Sequence, residues 1–183
     1  MDKLKIPSGF VLVEGEIPYW YGRMSWKANW VLLLLGVLTI FLFGLGIIFF
    51  IIAVLRVYAS EYFMSNKRIY VKYGIIARHV FEIKNEWITG TAISQGLMGR
   101  ILNYGNVIIS TPGQYAGSVI MIGVSDPMNI RTKIEELLRR YKERSKIEEK
   151  IKELEKEYEF GRISEEKYQE LKKKYEEELR KYL

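Results

Sequence analysis

From Trp30 to Leu55 the chain reads WVLLLLGVLTIFLFGLGIIFFIIAVL, without one charged side chain. A straight helix rises about 1.5 Å per residue, so this run would be ~39 Å long, more than the ~30 Å hydrocarbon core of a bilayer. Lys27 and Arg56 bracket it. A cleaved signal peptide has a shorter apolar core and a small-residue cleavage site, whereas this run ends in Val54-Leu55-Arg56-Val57. The expectation is a transmembrane segment. Two forms of it fit. One is a hairpin of Ser25–Leu42 and Gly46–Ala59 turning at Phe43-Gly44-Leu45-Gly46, where glycine gives the backbone freedom a reversal needs; the other is one long tilted span. Arg23 and Lys27 before the run, and Arg56, Lys67 and Arg68 after it, make both flanks basic. Positive flanks stay inside, which favours the hairpin with both soluble parts cytoplasmic.

The 183 residues leave room for one modest domain besides this segment, and the net charge is +6. From Lys142 onward thirteen basic and thirteen acidic side chains cancel, so the excess lies in residues 1–141. Basic residues beside an anionic leaflet each gain roughly 1 kcal/mol, which makes membrane lipids the expected partner of that excess. No Lys/Arg stripe with interleaved aromatics is present, so no nucleic acid is expected. There is no cysteine, hence no disulfide, thiolate nucleophile or thiolate metal site.

Gly9–Glu16 reads as a short strand, and Pro18-Tyr19-Trp20-Tyr21-Gly22 as an aromatic approach to an interface. After the apolar run come short segments of strand period, Arg68–Tyr73, Ile75–Ile83, Trp87–Ser94, Gly105–Ser110 and Gly117–Val124. They are separated by Ser65-Asn66-Lys67, Gly74 and Thr111-Pro112-Gly113, a spacing that predicts an antiparallel sandwich or barrel. Asp126 as N-cap and Pro127 as first residue open a helix with the stripe Ile130, Ile134, Leu137, Leu138 and Tyr141. In the tail, Ile147, Ile151, Leu154 and Tyr158 share one helix face that stops at Phe160-Gly161. Ser164 caps the next helix, whose seam is Tyr168, Leu171, Tyr175, Leu179 and Tyr182. The tail therefore reads as a helical hairpin.

Glu61-Tyr62-Phe63-Met64-Ser65-Asn66-Lys67-Arg68-Ile69 followed by Gly74-Ile75-Ile76-Ala77-Arg78 resembles the start of the membrane-anchored pleckstrin-homology-like (PH-like) domains of bacteria and archaea. One extra residue lies between Tyr62 and Ser65. The segment Ile93–Leu102 with Tyr104-Gly105, then Ser110-Thr111-Pro112-Gly113 and Asp126-Pro127, extends the match. The last ~35 residues, with Leu154, Gly161-Arg162-Ile163-Ser164-Glu165-Glu166 and Tyr168, resemble the short C-terminal (SHOCT) domain. The resemblance implies a partly open barrel capped by a helix and anchored by a transmembrane hairpin. It carries over no substrate and no lipid-binding residue.

Four parts are expected: an N-terminal strand and interfacial segment (1–24), the transmembrane segment (25–59), the PH-like domain (60–142) and the SHOCT-like hairpin (146–183). The fold class is a membrane-anchored α+β chain, and its expected place is the inner membrane, multi-pass. No catalytic residue, metal ligand or cofactor site is expected: His79 is the one histidine, without the partners a metal or a base needs, and no nucleophile elbow or phosphate loop occurs. The expected role is a non-enzymatic interaction module. Anionic-lipid sensing is the alternative, and an accessory subunit of a membrane enzyme or transporter a more distant one. Lys72, Arg78, Lys84 and Arg100, with the apolar Leu97 and Met98, are the candidate lipid or partner contacts; a solvated sheet face and a short covering helix are the plainer readings of the same residues. Ile151, Leu154, Tyr158, Tyr168, Leu171, Tyr175 and Leu179 are the candidate seam for a homo-oligomer or a foreign protein, because so small a hairpin buries little area by itself.

Overall fold

The computed structural model describes residues 5–40, 46–112 and 117–182. They divide into two compact units, Met1–Glu135 and Glu136–Leu183. In the first unit, β1 (Pro18–Arg23), β2 (Glu61–Ser65), β3 (Arg68–Tyr73) and β4 (His79–Lys84) form an antiparallel sheet in chain order; β5 (Gly90–Ser94), β6 (Tyr104–Ser110) and β7 (Ser118–Ser125) form a second. A short helix α3 (Leu97–Leu102) joins β5 to β6. The inner face of β2 and β3 places Tyr62, Met64, Ile69 and Val71 out of solvent, and Val107, Ile109 and Met121 do the same for the second sheet. A side chain of this size contributes about 1.5–3 kcal/mol when fully buried.

The apolar run folds as α1 (Trp30–Thr39) and α2 (Gly46–Ala59), of ten and fourteen residues. At 1.5 Å per residue these are ~15 and ~21 Å long, against ~30 Å of hydrocarbon. Among the described residues no helix is long and apolar enough to cross a membrane. This overturns the transmembrane hairpin, the single tilted span and the multi-pass inner-membrane placement together. The run is apolar throughout, but its helical stretches are too short. The two helices instead pack antiparallel, Gly36 lying against Phe50 and Gly46 against the Gly36 carbonyl and Ile40, an approach that leaves no room for a Cβ. The expected turn at Phe43-Gly44-Leu45 and the end of Thr111-Pro112-Gly113 lie outside the described residues.

The expected strand at Gly9–Glu16 does not form. β1 already holds the free edge of β2, pairing Arg23 with Glu61 and Tyr21 with Phe63, so residues 5–16 find no ladder. They lie as an irregular strap across the four-stranded sheet, with Phe10 buried against Phe63 and Tyr70. Similarly, β4 starts at His79 and not at Ile75, because Gly74 at φ 113° turns the chain and Ile75–Ala77 form a bend.

Pro127 opens α4 (Pro127–Glu159), a single 33-residue helix that runs through the point where two helices were expected. Asn129 N donates to the Asp126 carboxylate at 3.4 Å. In the second unit α4 ends at Glu159 and the chain turns through Gly161, which is in the left-handed region (φ 67°). Ser164 then caps α5 (Glu165–Arg180), accepting from Lys167 N. Tyr158 and Tyr168 stack at 4.5 Å, and Lys172 Nζ lies 3.8 Å from Glu155.

Candidate functional site

The outstanding surface feature is the α1–α2 pair. Val31, Leu34, Val37 and Leu38 on one helix, and Ile47, Ile48, Ile51, Val54 and Leu55 on the other, are exposed. Soluble surfaces rarely carry contiguous apolar patches of this extent without a binding role. The foot of the pair is different in chemistry. Because the helices are antiparallel, Lys27 before α1 and Arg56 in the last turn of α2 stand at the same end, beside the exposed rings of Trp26 and Tyr58. Ser25 N donates to Gly123 O at 2.7 Å, and Trp30 Nε1 to the Tyr104 hydroxyl at 3.0 Å, so the foot is fixed to β7 and β6.

Two further apolar groups flank that foot. On one side, α3 adjoins Tyr104, Gln95 Nε2 donating to the Gly99 and Tyr104 carbonyls at 3.3 and 3.0 Å. Its outer face shows Leu97, Met98 and Ile101, Leu97 being 74% exposed. On the other side, Ile75 and Ile76 project from the turn after β3, Ile76 being 98% exposed, and share a cleft of about 340 Å³ with Met24, Arg56, Ala59, Ser60, Tyr73 and Ile122.

The basic residues separate into engaged and free ones. Lys72 is engaged: its Nζ lies 2.9 Å from Glu61 and 2.6 Å from Ser8 Oγ beneath the strap. Lys84 pairs with Glu86 at 3.5 Å and lies over the Trp87 ring. Arg78, in the bend before β4, and Arg100, on α3, are exposed and join no ion pair among the described residues, nor do Lys27 and Arg56. Of the six expected contacts, α3 thus gathers Leu97, Met98 and Arg100, while Lys72 is held away from them in a buried network.

That network escaped the sequence reading. Glu61 receives hydrogen bonds from Ser8, Tyr21, Arg23 and Lys72 at 2.9–3.2 Å. Burial by itself would raise its pKa; the hydrogen bonds from Lys72, Ser8 and Tyr21 and the Lys72 charge outweigh burial and bring it to about 2. Nearby, Arg68 bonds Glu16 at 3.0 Å and the Val11 carbonyl at 2.6 Å and covers the Phe10 ring. Burial acts to raise the Glu16 pKa, but the Arg68 and Ser65 hydrogen bonds prevail and hold it low. Burial pushes the Tyr62 hydroxyl up to about 12. These groups are locked into structure, and among the described residues no cluster of three or more His, Asp or Glu could hold a metal. The signal in the sequence was a carboxylate, Glu61, standing directly before the apolar stretch Tyr62-Phe63-Met64 of its strand.

No curated protein and no solved structure matches the chain. The family profile described as "Bacterial PH domain" matches residues 11–138, a stretch that takes in the second half of the strap, both sheets, the apolar helix pair and the start of α4. The chain belongs to the bacterial PH domain family.

Proposed function

We propose that the chain is a non-catalytic binding module that docks on an anionic lipid surface through α1 and α2, entering one leaflet without crossing it. The observation that carries this reading is the outward-facing apolar surface on both helices, closed at its foot by Trp26, Tyr58, Lys27 and Arg56. One leaflet offers ~15 Å of hydrocarbon, half the bilayer core, which α1 at ~15 Å matches and α2 at ~21 Å exceeds by about one turn. Aromatic rings favour the interface, and each cation near an anionic surface adds about 1 kcal/mol. A lipid occupant accounts for exposure on both helices, whereas a protein groove would cover one face. The apolar face of α3, the Ile75–Ile76 turn and the free Arg78 and Arg100 fit a domain resting against the same surface.

The second unit supplies a contact to protein, and a second copy of the tail is its simplest form. Leu154 is buried within the unit, but Ile151, Leu171, Tyr175 and Leu179 are half-buried, which leaves apolar area for a partner.

The test is sedimentation of the full chain with phosphatidylglycerol/phosphatidylcholine vesicles. The wild type should bind, and the encounter should weaken with salt. The combined variant Leu34→Ser, Leu38→Ser, Ile48→Ser, Ile51→Ser should lose binding. Wild-type chain that stays in the supernatant at low salt refutes the lipid reading.

A further inference from the structure

We propose that the cleft at the foot of α2 is a binding site for a single-chain anionic amphiphile, with the acid group on Arg56 and the hydrocarbon chain against Met24, Ile75, Ile76 and Ile122. The site rests on the lipid-surface reading for the source of its ligand. At about 340 Å³ the cleft falls in the range of small-ligand pockets, which are largely apolar with a few orienting polar groups.

The polar groups in its walls decide the ligand class. The Ser60 hydroxyl is engaged, donating to the Arg56 carbonyl at 2.9 Å. The Tyr62 hydroxyl behind it is engaged with Ile122. Among the lining residues Arg56 alone has a charged side chain, and it has no carboxylate partner among the described residues; Tyr73 is the remaining polar side chain in these largely apolar walls. A ligand rich in hydrogen-bonding groups would leave most of them unsatisfied on these walls, at a cost for each. A hydrocarbon chain leaves none. An acid group gives Arg56 the planar, charge-assisted partner that it lacks. The mouth points the same way: Gly74 at φ 113° and in close approach to the Ala77 carbonyl holds the turn that thrusts Ile75 and Ile76 outward, where water is their alternative company.

The experiment titrates the full chain with cis-parinarate, a fatty acid whose fluorescence rises in an apolar site, and competes it with myristate, methyl myristate or myristoyl-lysophosphatidylglycerol. One molecule should bind per chain. Myristate should compete about tenfold or more better than its uncharged ester, the effect of a hydrogen bond to a charged group. Arg56→Gln should remove that preference for acid over ester, and Ala59→Phe should fill the cleft and remove stoichiometric binding. Equal competition by acid and ester against the wild type overturns the proposal whether or not the variants fold; so does a preference that survives Arg56→Gln. Stronger competition by the lysophospholipid assigns a membrane lipid as the source, and stronger competition by myristate a free fatty acid; each supports the site. Vesicle sedimentation separates the two readings. Parinarate binding without sedimentation keeps the cleft and discards the lipid-surface reading, and the reverse result discards the cleft alone.

Discussion

The hydroxyl of Tyr62 donates to the Ile122 carbonyl at 2.7 Å and accepts from the Ile122 amide at 3.0 Å. One side chain on β2 thus serves both main-chain groups of a residue on the opposite sheet. Ile122 lies where the β6–β7 register shifts, between the pairs Gly105 with Val124 and Val107 with Met121. Tyr62→Phe keeps the ring and removes both bonds. It should destabilise the domain by about 2 kcal/mol, the effect of leaving partly buried polar groups unpaired, seen as a lower midpoint of chemical denaturation with unchanged slope. An unaltered midpoint would show that the sheets are joined by apolar packing alone.

Acid should act through Glu61. Its folded pKa is about 2, below the ordinary 4.5. A depressed carboxylate stabilises the fold above its unfolded pKa, and the contribution is lost as pH falls from about 4.5 towards 2. The difference corresponds to roughly 3 kcal/mol. Wild-type stability should decline through this window, with a second contribution in the same direction from Glu16. Glu61→Gln should be less stable than the wild type at pH 7 and show a flatter acid limb. An equally steep limb in the variant would place the acid sensitivity elsewhere.

The approach of Gly46 to the Gly36 carbonyl makes a sharp demand on α1 and α2. Gly46→Val inserts bulk against backbone, which cannot move aside as a flexible side chain does. The expected loss is about 1–3 kcal/mol, together with weaker vesicle binding, because the parted helices no longer present one apolar body. Gly9→Ala is the control. It has open space around it but sits at φ 84°, so it tests left-handed strain without a clash.

Leu171→Asp with Tyr175→Asp probes the tail. Light scattering of the full chain should report a lower mass for the double variant if a second copy covers this seam. Vesicle binding should be untouched, since neither residue lies in the first unit. An unchanged mass would turn attention to a foreign protein as the occupant.

Local chemistry was legible in the sequence where one segment determined its own structure. Ser164 announced its cap, Gly161 its stop, and Arg68–Tyr73 its strand by alternation. The reversal of the apolar run into two arms was also legible, α2 beginning at Gly46 and ending at Ala59 as expected. Whether the arms span a membrane was misjudged, because the charge-free length of a run is not its helical length. Glu61 was opaque for a different reason. Its partners Ser8, Tyr21, Arg23 and Lys72 are scattered along the chain, and only the pairing of β1, β2 and β3 brings them together. Arg56 read as a flanking charge for the same reason, since the cleft beside it is closed by Ile75 and Ile122 from later strands and turns.

The strap has a consequence for the order of events in synthesis. Ser8, Phe10 and Glu16 precede their partners Glu61, Phe63 and Arg68 by some fifty residues. Contacts of such separation form late, after the loop between them has been closed. A segment made early on the ribosome therefore has nowhere to settle until β2 and β3 have emerged and paired. During that interval the Phe10 ring lacks the cover of Phe63 and Tyr70, so the nascent chain passes through a stage with an uncovered aromatic strap that the finished protein conceals.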